Sequence, residues 1–83
     1  MKWFMVVFML IHGQPKEAIL EGVPRGPFDS RAQCEKAVEA VAMKEGAAGA
    51  PLKRVGGGYT VKLDEVKNGA SEMRALCRQM GAL

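Results

Sequence analysis

The segment WFMVVFMLI, from Trp3 to Ile11, constrains the fold of this chain more than any other feature. It contains no polar side chain, yet it is far shorter than the roughly 20 residues that a transmembrane helix needs. Val, Ile, Phe and Trp are typical of strands, and a short unbroken apolar run is typical of a strand buried on both faces. The segment therefore predicts a central strand of a sheet.

The same run leaves a second interpretation open. Preceded by Met1 and Lys2, it has the length of the apolar part of a signal peptide. The segment HGQPKEA that follows it has no small-x-small cleavage pattern, however. We therefore expect a cytoplasmic protein without a membrane span, and an exported one if residues 1–13 are a signal peptide.

The middle of the chain predicts a strand followed by a helix. Residues 17–23 are apolar enough for a second strand, which the following prolines end. Ser30 and Gln33 match the S-x-x-Q capping box, so a helix is expected from Arg31 to about residue 44. Its apolar residues fall at the spacing of one helical face: Cys34, Ala37, Val38 and Val41.

The second half predicts the same order again. Residues 52–55 and 58–63 have the pattern of two strands around a glycine turn. Ser71 is expected to cap a last helix over residues 72–80, with core positions at Met73, Leu76, Cys77 and Met80. The order ββαββα predicts a single α+β domain over residues 1–83, in which two helices cover one face of an antiparallel sheet of about four strands.

The residues that perform enzyme chemistry are sparse. Cys34, Cys77 and His12 lack the paired short spacing of zinc ligands, and both cysteines lie among the predicted core residues. The glycines at 56–58 lead into a strand, whereas a phosphate-binding loop leads into a helix. We therefore expect no enzyme and no catalytic, cofactor or metal site. A disulfide between Cys34 and Cys77 is a further interpretation, and it would require an oxidising compartment.

The net charge of +3 lies entirely in the second half of the chain. Residues 1–50 hold six basic and six acidic side chains, whereas residues 51–83 hold six basic and three acidic ones. A local positive field attracts anionic partners, although no basic run exceeds two residues and an ordinary soluble surface is the alternative. The candidate contacts to an anion or nucleic acid are Lys53, Arg54, Lys62, Arg74 and Arg78.

The stretch GPFDSRAQCEKAVEA, after the apolar start MKWFMVV, resembles small uncharacterised bacterial and phage proteins that combine P-F-x-S with an early helix cysteine. Gly26, Phe28 and Ser30, followed by VGGGYTVKL, are also similar to SPOR repeats. That similarity implies peptidoglycan binding. The strand-like residues 17–23 and Cys34 depart from the SPOR pattern.

Three functions follow from these patterns. The first is a small non-enzymatic protein–protein interaction module, of phage or mobile-element origin. Its partner would be another protein or a second copy, paired through an exposed edge of the first strand. The second is nucleic-acid binding through the basic second half. The third is an exported, disulfide-closed envelope protein that binds peptidoglycan.

Overall fold

In a computed structural model, which describes residues 2–80, five antiparallel strands form one sheet in the order β2-β1-β5-β4-β3. The elements along the chain are β1 (Lys2–Ile11), β2 (Gln14–Ala18), α1 (Arg31–Glu45), β3 (Lys53–Val55), β4 (Gly58–Lys62), α2 (Glu65–Asn68) and β5 (Glu72–Met80). The α+β class and the antiparallel sheet are confirmed. The sheet has five strands where about four were predicted, and the order is ββαββαβ.

The apolar run from Trp3 to Ile11 lies within β1, an interior strand. Its residues pair with β5 along almost their whole length, and β2 pairs with the second half of β1. Beside the first half of β1, the Met5 amide donates to the Arg25 carbonyl at 3.0 Å. Since β1 has neighbours on both sides, it offers no exposed edge through which a second copy could pair.

The second strand begins earlier than the sequence pattern predicts. His12 and Gly13 form a two-residue turn in which φ is positive at both positions, 53° and 78°. This is the conformation that matches the twist of a tight hairpin, so pairing resumes at once at Gln14. Pro15 is tolerated because β2 is an edge strand. The prediction of a strand over residues 17–23 is therefore wrong beyond Ala18.

Helix α1 begins where the capping box places it. The Ser30 hydroxyl accepts a hydrogen bond from the Gln33 amide at 3.2 Å. The Gln33 side chain reaches back one residue further than in the standard box, and accepts from the Asp29 amide at 3.1 Å. The helix ends at Gly46, whose amide donates to the Ala42 carbonyl.

Removal of this cap tests the assignment of the helix start. We expect Ser30→Ala to lower the free energy of unfolding by about 1 kcal/mol, because the amide of Gln33 loses its acceptor. Urea denaturation measures the loss. Ser30→Asp restores an acceptor and serves as the control, so equal stability of the alanine and aspartate variants would contradict the cap.

The predicted last helix is wrong, because residues 72–80 form strand β5. The apolar positions of that segment fit a helical spacing, but Met73, Ala75 and Cys77 also alternate and are buried on one face. The segment fits both a helical and an alternating pattern, and strand pairing favours the alternating one. As a strand, β5 hydrogen-bonds with β1 on one side and with β4 on the other. A second helix does form, but it is the short helix α2, which covers Glu65–Asn68 and ends before β5 begins.

The core lies between α1 and one face of the sheet. Twelve buried apolar residues form it: Met5, Val7, Cys34, Val38, Val41, Ala42, Val61, Leu63, Ala70, Met73, Ala75 and Cys77. A disulfide joins Cys34 of α1 to Cys77 of β5, and their Cα atoms are 6.0 Å apart. The helix is therefore fixed to the central strand covalently as well as by packing. No helix within residues 2–80 has the length and apolar character needed to cross a membrane.

An ion pair connects the start of β1 to the segment before α1. The Lys2 ammonium donates to the Asp29 carboxylate at 2.6 Å. This hydrogen bond, and then the charge attraction, hold the pKa of Asp29 below its ordinary value. Since the folded-state pKa is lowered, the pair stabilises the fold above the ordinary carboxyl pKa, and the contribution is lost as the pH falls through the lowered pKa.

Substitution of the lysine tests this cause. We expect Lys2→Gln to return the pKa of Asp29 towards its ordinary value, measured by carboxyl-carbon NMR during an acid titration. The effect on stability should be small, since both side chains are exposed. An unchanged Asp29 titration in the variant would contradict the assignment.

Candidate functional site

The face of the sheet opposite α1 is the candidate site, and we call it the open face. Successive side chains of a strand point to opposite faces, so the register of the strands fixes which residues lie on it. Within residues 2–80, α1 packs on the other face and α2 packs on neither. By this register the open face comprises Lys2, Phe4, Val6, Phe8, Leu10, Pro15, Glu17, Lys53, Val55, Gly58, Thr60, Lys62, Glu72, Arg74, Leu76, Arg78 and Met80.

Two phenylalanine–arginine pairs lie across the central strands of this face. Phe4 is directly opposite Arg78, and Phe8 is directly opposite Arg74. Opposed residues in neighbouring strands have Cβ atoms about 5 Å apart, so each ring lies within reach of one guanidinium. The two pairs are four residues apart, or about 13 Å at 3.3 Å per residue. The same combination of a phenylalanine ring and a guanidinium therefore occurs twice on this face, about 13 Å apart.

The charge of the open face is positive. It carries five basic residues against two acidic ones, Glu17 and Glu72, and one of the five, Lys2, is paired with Asp29. Glu72 is directly opposite Lys62, whereas Arg74 is opposite Phe8 and Thr60. Both arginine side chains are exposed, and neither forms an ion pair with any residue that the structure describes. Two cations are therefore available to an external anion.

The apolar residues form the floor of a shallow hollow beside the second pair. Its volume is about 320 Å³. Four apolar side chains and both arginines line it: Phe8, Leu10, Pro15, Leu76, Arg74 and Arg78. Hollows of a few hundred Å³ with an apolar lining and few polar groups are typical of ligand sites. This one is open to solvent, so its shape suits a flat group better than an enclosed molecule.

The structure brings together four of the five predicted contact residues. Lys53, Lys62, Arg74 and Arg78 share the open face. Arg54 is on the other face: its guanidinium is 3.5 Å from the Glu35 carboxylate of α1 and 5.7 Å from the centre of the Tyr59 ring. The ion pair and the ring contact hold Arg54 in place, so we remove it from the candidate site.

The aromatic part of the site is not evident from the sequence pattern. The pattern predicts Phe4 and Phe8 only as members of a strand buried on both faces, whereas on the open face both are half-buried. The signal in the sequence is their spacing of four residues, which places both rings on one face of a strand. The last segment had to be recognised as a strand before that signal could be interpreted.

The cysteines do not contribute reactive thiols to this face. Cys34 and Cys77 are bonded to each other on the opposite side of the sheet, where both are buried. Among the described residues, no cluster of three or more His, Cys, Asp and Glu has the geometry to hold a metal ion. The open face offers rings, aliphatic side chains, cations and two carboxylates.

Comparison with known proteins adds no assignment. Known protein families, curated proteins and solved structures give no match to this chain. The resemblance of residues 26–40 to small bacterial and phage proteins therefore stays a prediction. So does the similarity of Gly26, Phe28, Ser30 and residues 55–63 to SPOR repeats. A proposal about function depends on the open face alone.

Proposed function

We propose that this protein is a non-enzymatic binding protein whose open face holds single-stranded nucleic acid. The observation that supports the proposal is the repeated pairing of an aromatic ring with an arginine, Phe4 with Arg78 and Phe8 with Arg74. A single strand repeats a flat base and an anionic phosphate at short intervals, and sheets with exposed aromatics bind such strands by stacking. Duplexes present few base faces and fit a flat sheet poorly.

The positive charge of the face supports the same ligand. Lys53, Lys62, Arg74 and Arg78 share the face with the rings, and the two arginines have no anionic partner among the described residues. A second copy of this chain would bring two positive faces together, which opposes face-to-face dimerisation. An extended polyanion instead neutralises these cations along its length.

Removal of one ring tests the proposal. We expect Phe8→Leu to weaken the binding of a fluorescein-labelled oligouridine by about 5- to 150-fold, because a stacked base contributes about 1–3 kcal/mol. Leucine keeps an apolar side chain in the hollow that Leu10 and Leu76 also line, so the sheet should remain folded. Fluorescence anisotropy measures the affinity, and circular dichroism verifies the fold.

The matched control is Phe28→Leu, the same chemical change at a half-buried residue that forms a backbone bridge with Trp3 and packs against the core. Phe28 is outside the strands of the open face, so the affinity should remain within about twofold of the original protein. Equal losses in the two variants would show a general effect on the fold. No loss in either would contradict stacking on Phe8.

A second candidate is favoured by the disulfide. Disulfides persist in oxidising compartments, which supports the exported, peptidoglycan-binding protein that the SPOR similarity implies. Sedimentation with purified peptidoglycan sacculi tests it. Peptidoglycan binding becomes the favoured function under two results. The sacculi retain the original protein but not the Arg74→Gln or Phe8→Leu variants, and the original protein does not bind oligouridine.

The protein–protein interaction module predicted from the sequence ranks third. Large exposed apolar side chains are present on separate segments: Ile19 follows β2, Met43 is on α1, Val66 is on α2 and Met80 ends β5. Single exposed apolar residues are normal on soluble proteins, whereas a binding surface needs a contiguous patch. The contiguous apolar surface is on the open face, where a protein partner would have to be acidic.

A further inference from the structure

The hollow beside Phe8 differs in its hydrogen-bonding groups from the rest of the open face. Its polar side chains are Arg74 and Arg78, which are donors only. The two acidic residues of the face line other hollows. Glu17 lines one with Phe4 and Arg25, and Glu72 lines one with Lys53 and Lys62. Glu17 is opposite Phe8 and Glu72 is opposite Leu10, so both carboxylates border the hollow beside Phe8, but the polar side chains that line it are donors only.

Nucleobases differ in what they present to such donors. Guanine, thymine and uracil carry a keto oxygen at the position where adenine and cytosine carry an amino group. A guanidinium donates to the keto oxygen, but an amino group is itself a donor and cannot accept from it. The amino group of such a base would lose its hydrogen bond to water in this hollow, because the side chains that line it offer no acceptor, and that loss is the costly case.

We propose that the hollow formed by Phe8, Leu76, Arg74 and Arg78 selects keto bases over amino bases in a bound single strand. The inference rests on the proposed function and names its base preference. Phe8 supplies the stacking surface, and Leu10, Leu76 and Pro15 bound the hollow. Arg74, directly opposite Phe8, donates to the keto oxygen of the base that stacks there. Arg78, at the far side, donates to the adjacent phosphate.

Oligouridine and oligocytidine of equal length test the preference, since they share backbone, charge and ring size and differ at the keto or amino group. We expect the protein to bind oligouridine at least about fivefold more tightly at neutral pH, as the gain or loss of a charged hydrogen bond requires. Equal affinities, or tighter binding of oligocytidine, would overturn the preference and leave the proposed function standing. Binding of neither oligonucleotide would overturn both.

A second variant separates base recognition from charge. Arg74→Lys keeps the positive charge but replaces the planar fork with a single flexible ammonium. We expect the preference for oligouridine to fall towards equality while the salt dependence of binding is unchanged. A preference that survives in Arg74→Lys, and also in Arg78→Lys, would show that these guanidiniums do not recognise the base.

Discussion

Reduction of the Cys34–Cys77 disulfide is expected to lower the free energy of unfolding by about 2–4 kcal/mol. The bond closes a loop between residues 43 positions apart, and in the chain-entropy account a loop of this length contributes about 4 kcal/mol. It also fixes α1 to β5, the strand that carries both arginines of the open face. For a domain of this size, the loss is a large part of the total stability.

Urea denaturation with and without a thiol reductant measures this contribution. The variant in which Cys34 and Cys77 are both changed to Ala is the control, because its stability should be low and insensitive to the reductant. Mass spectrometry after alkylation should find no free thiol in the oxidised protein. Coincident unfolding curves for the oxidised and reduced protein would contradict the stabilising role.

The second large effect is expected at Gly58, the first residue of β4. A Cβ atom at this position would collide with the backbone of Ala75 and Leu76 in β5, including the Ala75 carbonyl oxygen. Backbone atoms of a paired strand cannot move aside as a flexible side chain can. We expect Gly58→Ala to destabilise the fold by about 3 kcal/mol, at the upper end of the usual cost of overpacking.

The chain supplies a matched control two residues away. A Cβ atom at Gly56 would have no atom within 4 Å, and its φ lies outside the left-handed region. Gly56→Ala should therefore change the stability by less than about 1 kcal/mol. Thermal unfolding of the two variants measures the difference. Similar melting temperatures would contradict the close approach of β4 to β5.

Local signals in the sequence predicted the parts of the fold that local interactions decide. Ser30 and Gln33 placed the start of α1 correctly, because a cap involves only neighbouring residues. The glycine turn between β3 and β4 was predicted correctly for the same reason. The helical interpretation of residues 72–80 failed because pairing with two other strands, distant in sequence, outweighed the local spacing.

The candidate site was predicted only in part. The basic residues of the second half were visible as a charge excess, but Arg54 could be separated from Lys53 only once β3 had a known face. The contribution of Phe8 depends on Arg74, which is 66 positions away along the chain and directly opposite in the sheet. Phe8 and Arg74 meet only because of the register between β1 and β5, and the sequence pattern does not determine that register.

Salt dependence of oligouridine binding tests the central claim, that the open face binds a single strand through its arginines. Affinity should fall with salt by a slope of about −0.7 per phosphate contact. The variant Arg74→Gln/Arg78→Gln should lose about 1.4 of that slope, since it removes two contacts. The control Lys36→Gln/Lys44→Gln has the same change in charge on exposed residues of α1. A slope unchanged in the control and reduced in the arginine variant is the predicted result. Equal slopes in both variants, or no binding by the original protein, would contradict the claim.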